Sequence, residues 1–179
     1  MFNGSFSSLV NTKTIDLYPS SLEKEIDEVN NWVYHNINNG VYKCGFAKSQ
    51  SAYEEAAFAL NKHLAKVETI LSKQRYICSS KTITEADIRL FMTLVRFDEV
   101  YVVYFKTNST PISTLPNTLN YCRELYQIPE IRKSINMQHI KNHYFTSHPS
   151  LNAYAVVPIG PGVLQDFSKP HNRTKLFPL

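Results

Sequence analysis

Histidine, cysteine and tyrosine are the side chains through which this sequence could do chemistry. His139 and His143 stand four apart, with His148 five further on, a spacing that could place metal ligands on a helix face. The zinc protease pattern requires Glu directly after the first His, and Ile140 occupies that place, so no metal is expected. Cys44 lies in the run Tyr42-Lys43-Cys44-Gly45, where Lys43 could lower the thiol pKa. One lysine is thin support for a nucleophile, and a buried, inert thiol is the expectation. Tyr42, in a segment that follows a glycine, and Tyr144, in an acid-free stretch, are the tyrosines that core packing least requires. Their hydroxyls could face an aromatic ligand in a groove, whereas Tyr101, Tyr121, Phe91 and Phe97 read as core.

The segment 131–165 contains no acid, yet it carries Arg132, Lys133, Lys141 and three His beside Tyr144, Phe145 and Tyr154. Basic residues interleaved with aromatics can bind single strands. Three Lys/Arg there, and a net charge of +4 overall, are too little for a dedicated nucleic-acid binder, and none is expected. Such a wall also suits a small anionic ligand. The five glycines, Gly4, Gly40, Gly45, Gly160 and Gly162, form neither G-x-G-x-x-G nor G-x-x-x-x-G-K-[ST], which excludes those nucleotide-binding loops. Cys44, Cys78 and Cys122 are 34 and 44 residues apart, with no C-x-x-C, so neither zinc nor a disulfide framework is indicated.

These side chains need helices to hold them. Over 179 residues, 43% are hydrophobic and 12% aromatic, which rules out a disordered chain and suffices for a full core. Apolar residues at Leu22, Ile26, Val29 and Val33 have helical spacing, and Asn38-Asn39-Gly40 predicts the stop. A connector over 41–46 precedes a second helix over about 51–72. Thr84 and Asp87 form the pattern of a capping box, with Ile83 and Ile88 as its hydrophobic staple. The helix they open, to about Phe105, is apolar nearly all round and therefore central. Pro116 suits the start of a helix to about Tyr126. Pro129 breaks it before a helical stretch over about 130–148, and five prolines after His148 predict a tail without regular structure. The expectation is an all-α fold, a bundle around one buried helix, with no apolar run long enough for a membrane span. Without a basic-then-apolar leader, the chain reads as cytoplasmic.

Ordered motifs add to this reading. They are Asn38-Asn39-Gly40-Val41-Tyr42-Lys43-Cys44-Gly45-Phe46-Ala47, Thr84-Glu85-Ala86-Asp87-Ile88-Arg89-Leu90-Phe91 and Arg96-Phe97-Asp98-Glu99-Val100-Tyr101. With Leu125-Tyr126-Gln127, His139-Ile140-Lys141-Asn142-His143-Tyr144, Ser147-His148 and Val157-Pro158-Ile159-Gly160-Pro161, they resemble the glutathionyl-hydroquinone reductases. These are omega-like glutathione transferases, also called the xi class, and the resemblance runs from about Leu17 to Pro161. It implies a glutathione transferase C-terminal-like helical domain over 20–150, a leader or remnant interdomain linker over 1–19 and an irregular Pro-rich tail over 151–179.

The family's catalytic cysteine lies in a Cys-Pro-Trp motif of a preceding thioredoxin-like domain, and no Cys here is followed by Pro. The resemblance therefore implies no catalytic residue in this chain. It implies glutathione as co-substrate, bound mainly by that other domain, and a hydroquinone-type aromatic ligand against Tyr42 and Tyr144. Where family members usually read His-Tyr-Tyr, this chain reads His143-Tyr144-Phe145. Reductive removal of glutathione from hydroquinones and a homodimer paired through helical domains are the further implications. The other function class that the residues allow is a non-catalytic, transferase-like helical interaction module.

Overall fold

The helix opened by Thr84 organises the molecule, and its cap reaches well beyond its own first turn. In the computed structural model, which describes residues 9, 15–79 and 81–178, it runs as Glu85–Arg96, a π-helical turn Phe97–Tyr101 and a final turn Val102–Tyr104. The capping box is formed: the Thr84 N–H and hydroxyl both donate to Asp87 Oδ2 at 2.8 Å. Asp87 Oδ1 accepts the Ile77 N–H at 2.8 Å and the Tyr121 hydroxyl at 2.9 Å. Burial pushes the Asp87 carboxyl up from its ordinary pKa, and these donors oppose the shift. Leu90, Phe91, Leu94, Val95 and every residue of the π turn are buried. Val103 departs from the expectation of an all-round apolar core, being 56% exposed.

We number the other helices in chain order around this one: α1 Glu23–Val33, α2 Asn39–Gly45, α3 Gln50–Leu71, α4 and α5 the central Glu85–Arg96 and Val102–Tyr104, α6 Pro116–Tyr126, α7 Pro129–Lys133, α8 Met137–Ser147, α9 Val163–Phe167 and α10 Arg173–Leu176. All regular structure among the described residues is helical, and no helix there is long and apolar enough to cross a membrane.

The predicted stop at Gly40 is not a stop. A π-helical turn, Tyr34–Asn38, carries α1 directly into α2, so 41–45 is helix and not connector. Of the two glycines there, only Gly45 is required by close packing. A Cβ on Gly40 would lie 3.4 Å from Leu60 Cδ1, and one on Gly45 only 2.1 Å from Phe105 Cδ1. Neither has a positive φ, the backbone state a glycine stop would use. Helix α2 thereby lies against both α3 and the end of the central helix.

Helix α3 matches its expected span, with Ser49 accepting the Ala52 N–H at 3.2 Å as N-cap and Leu60, Leu64, Val67 and Leu71 buried in a stripe. Its last turn holds two other elements. Glu68 accepts the N–H groups of Asn117 and Thr118 at 2.9 and 2.8 Å, capping α6 from outside. The fully buried Arg173 donates to the carbonyls of Leu71, Gln74 and Arg75 at and just beyond the end of α3. Here the expected irregular tail is corrected: α9 and α10 lie in it, and Phe167 and Arg173 are buried. The stretch 130–148 is also two helices, because Asn136 caps α8 by accepting the His139 N–H at 3.0 Å.

Candidate functional site

Because α2 is helical, Tyr42 sits on a rigid element facing the central helix. Helix α8 brings Tyr144 to it from 102 positions along the chain, and the two hydroxyl oxygens are 2.6 Å apart. The Tyr144 hydroxyl is also 2.8 Å from that of Tyr101, on the central π turn. Three phenols thus form a chain that runs from the core to solvent: Tyr101 is 2% exposed, Tyr144 7% and Tyr42 37%. The two tyrosines singled out in the sequence are brought together. Tyr101, read there as core, is the member that reading missed. Its signal was a hydroxyl in an otherwise greasy helix, since a buried Tyr in place of Phe requires a partner for its O–H.

The hydroxyls border a cleft of about 510 Å³ between the Tyr34–Asn38 turn, α2, α4 and α8. Met92, Thr93 and Arg96 of α4 line its base, Tyr34, Asn38 and Tyr42 its side, and none of its lining residues is acidic. Asn38 ties side to base, donating to Thr93 Oγ1 at 2.7 Å and to the Arg89 carbonyl at 3.1 Å. Arg96 donates to the Met92 carbonyl at 2.5 Å and leaves its charge beside Tyr101 and Tyr144. Polar donors with two arginines, Arg96 and the Glu85-paired Arg89, suit an aromatic ligand bearing oxygen functions.

The ring positions are set by aromatic packing. Tyr101 stacks on Phe105 at 5.5 Å and 9°, Tyr42 lies 5.1 Å from the same ring, and Tyr144 meets Tyr101 edge-on at 5.5 Å. His148 closes the back, its Nδ1 3.3 Å from both the Tyr104 hydroxyl and the Tyr144 carbonyl. Burial pushes the Tyr144 phenol up to about 12, and the Tyr101 phenol further above its ordinary 10.0. Both are therefore neutral hydroxyls at physiological pH. Phe145 is buried with its ring 4.6 Å from Tyr104, and it does not line the cleft.

The thiols stand apart from this chemistry. Cys44, Cys78 and Cys122 are all buried. Burial raises the Cys44 thiol to about 11 and the Cys78 thiol to about 12, with Cys122 well above the ordinary range. Lys43 donates to the His35 carbonyl at 3.0 Å. Desolvation, not a neighbouring charge, sets the state of Cys44.

Residues 50–124 match the family described as glutathione S-transferase, C-terminal domain. The chain is 47% identical to the glutathionyl-hydroquinone reductase YqjG of Escherichia coli (strain K12) over 177 residues, which is 99% of this chain and 53% of that protein. The glutathione-bound structure of YqjG superposes with a TM-score of 0.93, over 99% of this chain and 56% of the other. Glutathione transferase Xi 1 from Trametes versicolor, 46% identical, superposes with a TM-score of 0.86 over 89% of this chain and 56% of its own. The chain spans about half the length of the curated relatives it matches. With its all-helical architecture, its capping box and these relatives, the chain is a homologue of the C-terminal helical half of glutathionyl-hydroquinone reductases and xi-class glutathione transferases.

Proposed function

We propose that this chain is the substrate-binding helical half of a glutathione-dependent reductase that removes glutathione from glutathionyl-hydroquinones. The observation that carries the reading is the convergence of the Tyr42 and Tyr144 hydroxyls, 2.6 Å apart, on one edge of the cleft. Phenol hydroxyls placed so, each able to donate or accept, can hold a hydroquinone by its ring oxygens. The reaction requires a thiolate, which this reading assigns to a thioredoxin-like half. That thiolate attacks the glutathione sulfur and the carbon–sulfur bond breaks. Its electron pair passes to the ring carbon, which takes up a proton. A second glutathione thiolate then displaces the first thiol from the mixed disulfide, giving glutathione disulfide and restoring the thiolate. The three cysteines here are buried, with thiols raised by desolvation, which fits a chain that positions substrate and leaves the nucleophile to another domain. A convergent set of hydroxyls favours this reading over a purely structural interaction module.

The test is turnover of a glutathionyl-hydroquinone, followed by release of hydroquinone. The 179-residue chain with excess glutathione is expected to give none, and joining it to the thioredoxin-like half of a relative is expected to give turnover that Tyr42→Phe depresses. Turnover by the chain itself, abolished by Cys44→Ser, would overturn the proposal.

A further inference from the structure

The three hydroxyls have a direction. Among the described residues, the Tyr101 hydroxyl has one hydrogen-bond partner, the Tyr144 oxygen at 2.8 Å, and at 2% exposure it has almost no access to water. Tyr144 has two such partners, Tyr101 and Tyr42, and is itself 7% exposed. Each phenol carries one proton. If Tyr101 accepted from Tyr144, its own proton would be buried without an acceptor. If Tyr144 accepted from both neighbours, its own proton would be stranded likewise. Leaving a buried donor unmade is the costly outcome. One arrangement satisfies every buried proton: Tyr101 donates to Tyr144, Tyr144 donates to Tyr42, and Tyr42 has its proton left for the cleft.

We propose that Tyr101 is a positioning residue that fixes the polarity of this chain, so that Tyr42 is an obligate donor to an oxygen of the bound aromatic ligand and the cleft prefers a phenolate oxygen over a phenol. The proposal rests on the reading of the cleft as an aromatic-ligand site. A phenolate oxygen accepts a hydrogen bond and cannot donate one, so it fits a donor whose direction is locked from behind. Each link polarises the next, which strengthens the outermost bond. The other charged and titratable groups around the chain are few. Arg96 and Arg89 lie on α4, with Arg89 paired to Glu85 at 2.8 Å; Tyr34 borders the cleft, and His143, His148 and Tyr104 lie against Tyr144. Arg96 adds its own attraction for an anion but is untouched by a change at Tyr101.

The experiment uses 4-nitrophenol, whose phenolate absorbs in the visible and whose phenol does not. Titrating the full chain across pH gives separate affinities for the two forms. Tyr42→Phe is expected to weaken phenolate binding about tenfold, the scale of a hydrogen bond to a charged group. Tyr101→Phe is expected to weaken it about threefold, with phenol affinity changed less than twofold and an unaltered thermal melt. The double variant Tyr101→Phe/Tyr144→Phe is expected to bind phenolate no worse than Tyr144→Phe, because cutting the middle link already disconnects Tyr101. An unchanged phenolate preference in Tyr101→Phe, or losses that simply add in the double variant, would overturn the polarity proposal alone. Failure of the parent chain to bind either form would overturn it together with the aromatic-ligand reading of the cleft.

Discussion

Alanine at Gly40 and at Gly45 should move stability in opposite directions, although both glycines sit in the same short helix. A Cβ at Gly40 meets Leu60 Cδ1 at 3.4 Å, ordinary contact, and the backbone there is plain helix. Replacing a helical glycine by alanine then stabilises by about 0.5–1 kcal/mol. At Gly45 the new Cβ would fall 2.1, 2.4 and 2.7 Å from three atoms of the Phe105 ring. That ring is fully buried, with Tyr42 at 5.1 Å and Tyr101 and Phe46 at 5.5 Å, so it has nowhere to swing. Overpacking of this kind costs about 1–3 kcal/mol or more. In a chain of this size each kcal/mol moves the Tm by about 2–4 °C, so Gly45→Ala should melt about 2–12 °C lower and Gly40→Ala about 1–4 °C higher. Circular dichroism melts, with urea midpoints at unchanged m-value, measure both. Since Phe105 seats Tyr42 and Tyr101, Gly45→Ala should also weaken binding in the cleft. If Gly40→Ala destabilised as much as Gly45→Ala, the glycine would be acting as a helix stop and the packing argument would be wrong.

Two further outcomes follow from acids that accept backbone N–H groups. Asp87→Ala removes a helix cap worth about 1–2 kcal/mol, and it also strands the buried Ile77 N–H and Tyr121 hydroxyl at about 1–3 kcal/mol each. The total should be roughly 3–8 kcal/mol by urea melt, and less than additive with Tyr121→Phe; a loss confined to the cap would refute the wider network. Glu68 is raised by desolvation but lowered more by its bonds from Thr118 and Asn117, so its folded pKa lies below the ordinary 4.5. Its contribution is then fully present above pH 4.5 and lost as pH falls through the lower folded value. Glu68→Gln should flatten that acid limb of the stability profile, and an unchanged limb would remove Glu68 as the cap of α6.

What could be read along the chain were interactions between residues three or four apart. The Thr84–Asp87 cap, Pro116 opening α6 and the span of α3 all have causes within one or two turns, and each stands in the structure as expected; the central helix does so except at the exposed Val103. Tyr42 was identifiable as a tyrosine that the core did not need, whereas Tyr144, chosen on the same ground, is 7% exposed and packs in the core. What could not be read was every feature whose partner is distant. Gly40 resembles a terminator until the π-helical turn is seen carrying α1 into α2, and the tail looks irregular until Arg173 is found holding carbonyls at the end of α3. Ser134-Ile135-Asn136 is the exception, a break with a local cause, in which the Asn136 side chain starts a new helix. Tyr101 passed for core because its ring belongs there, while its hydroxyl meets that of Tyr144. Side-chain periodicity reports which face of an element is apolar. Only the tertiary structure sets the distance between two hydroxyls 43 positions apart, and hydrogen bonding, which fades within an ångström, turns on that distance.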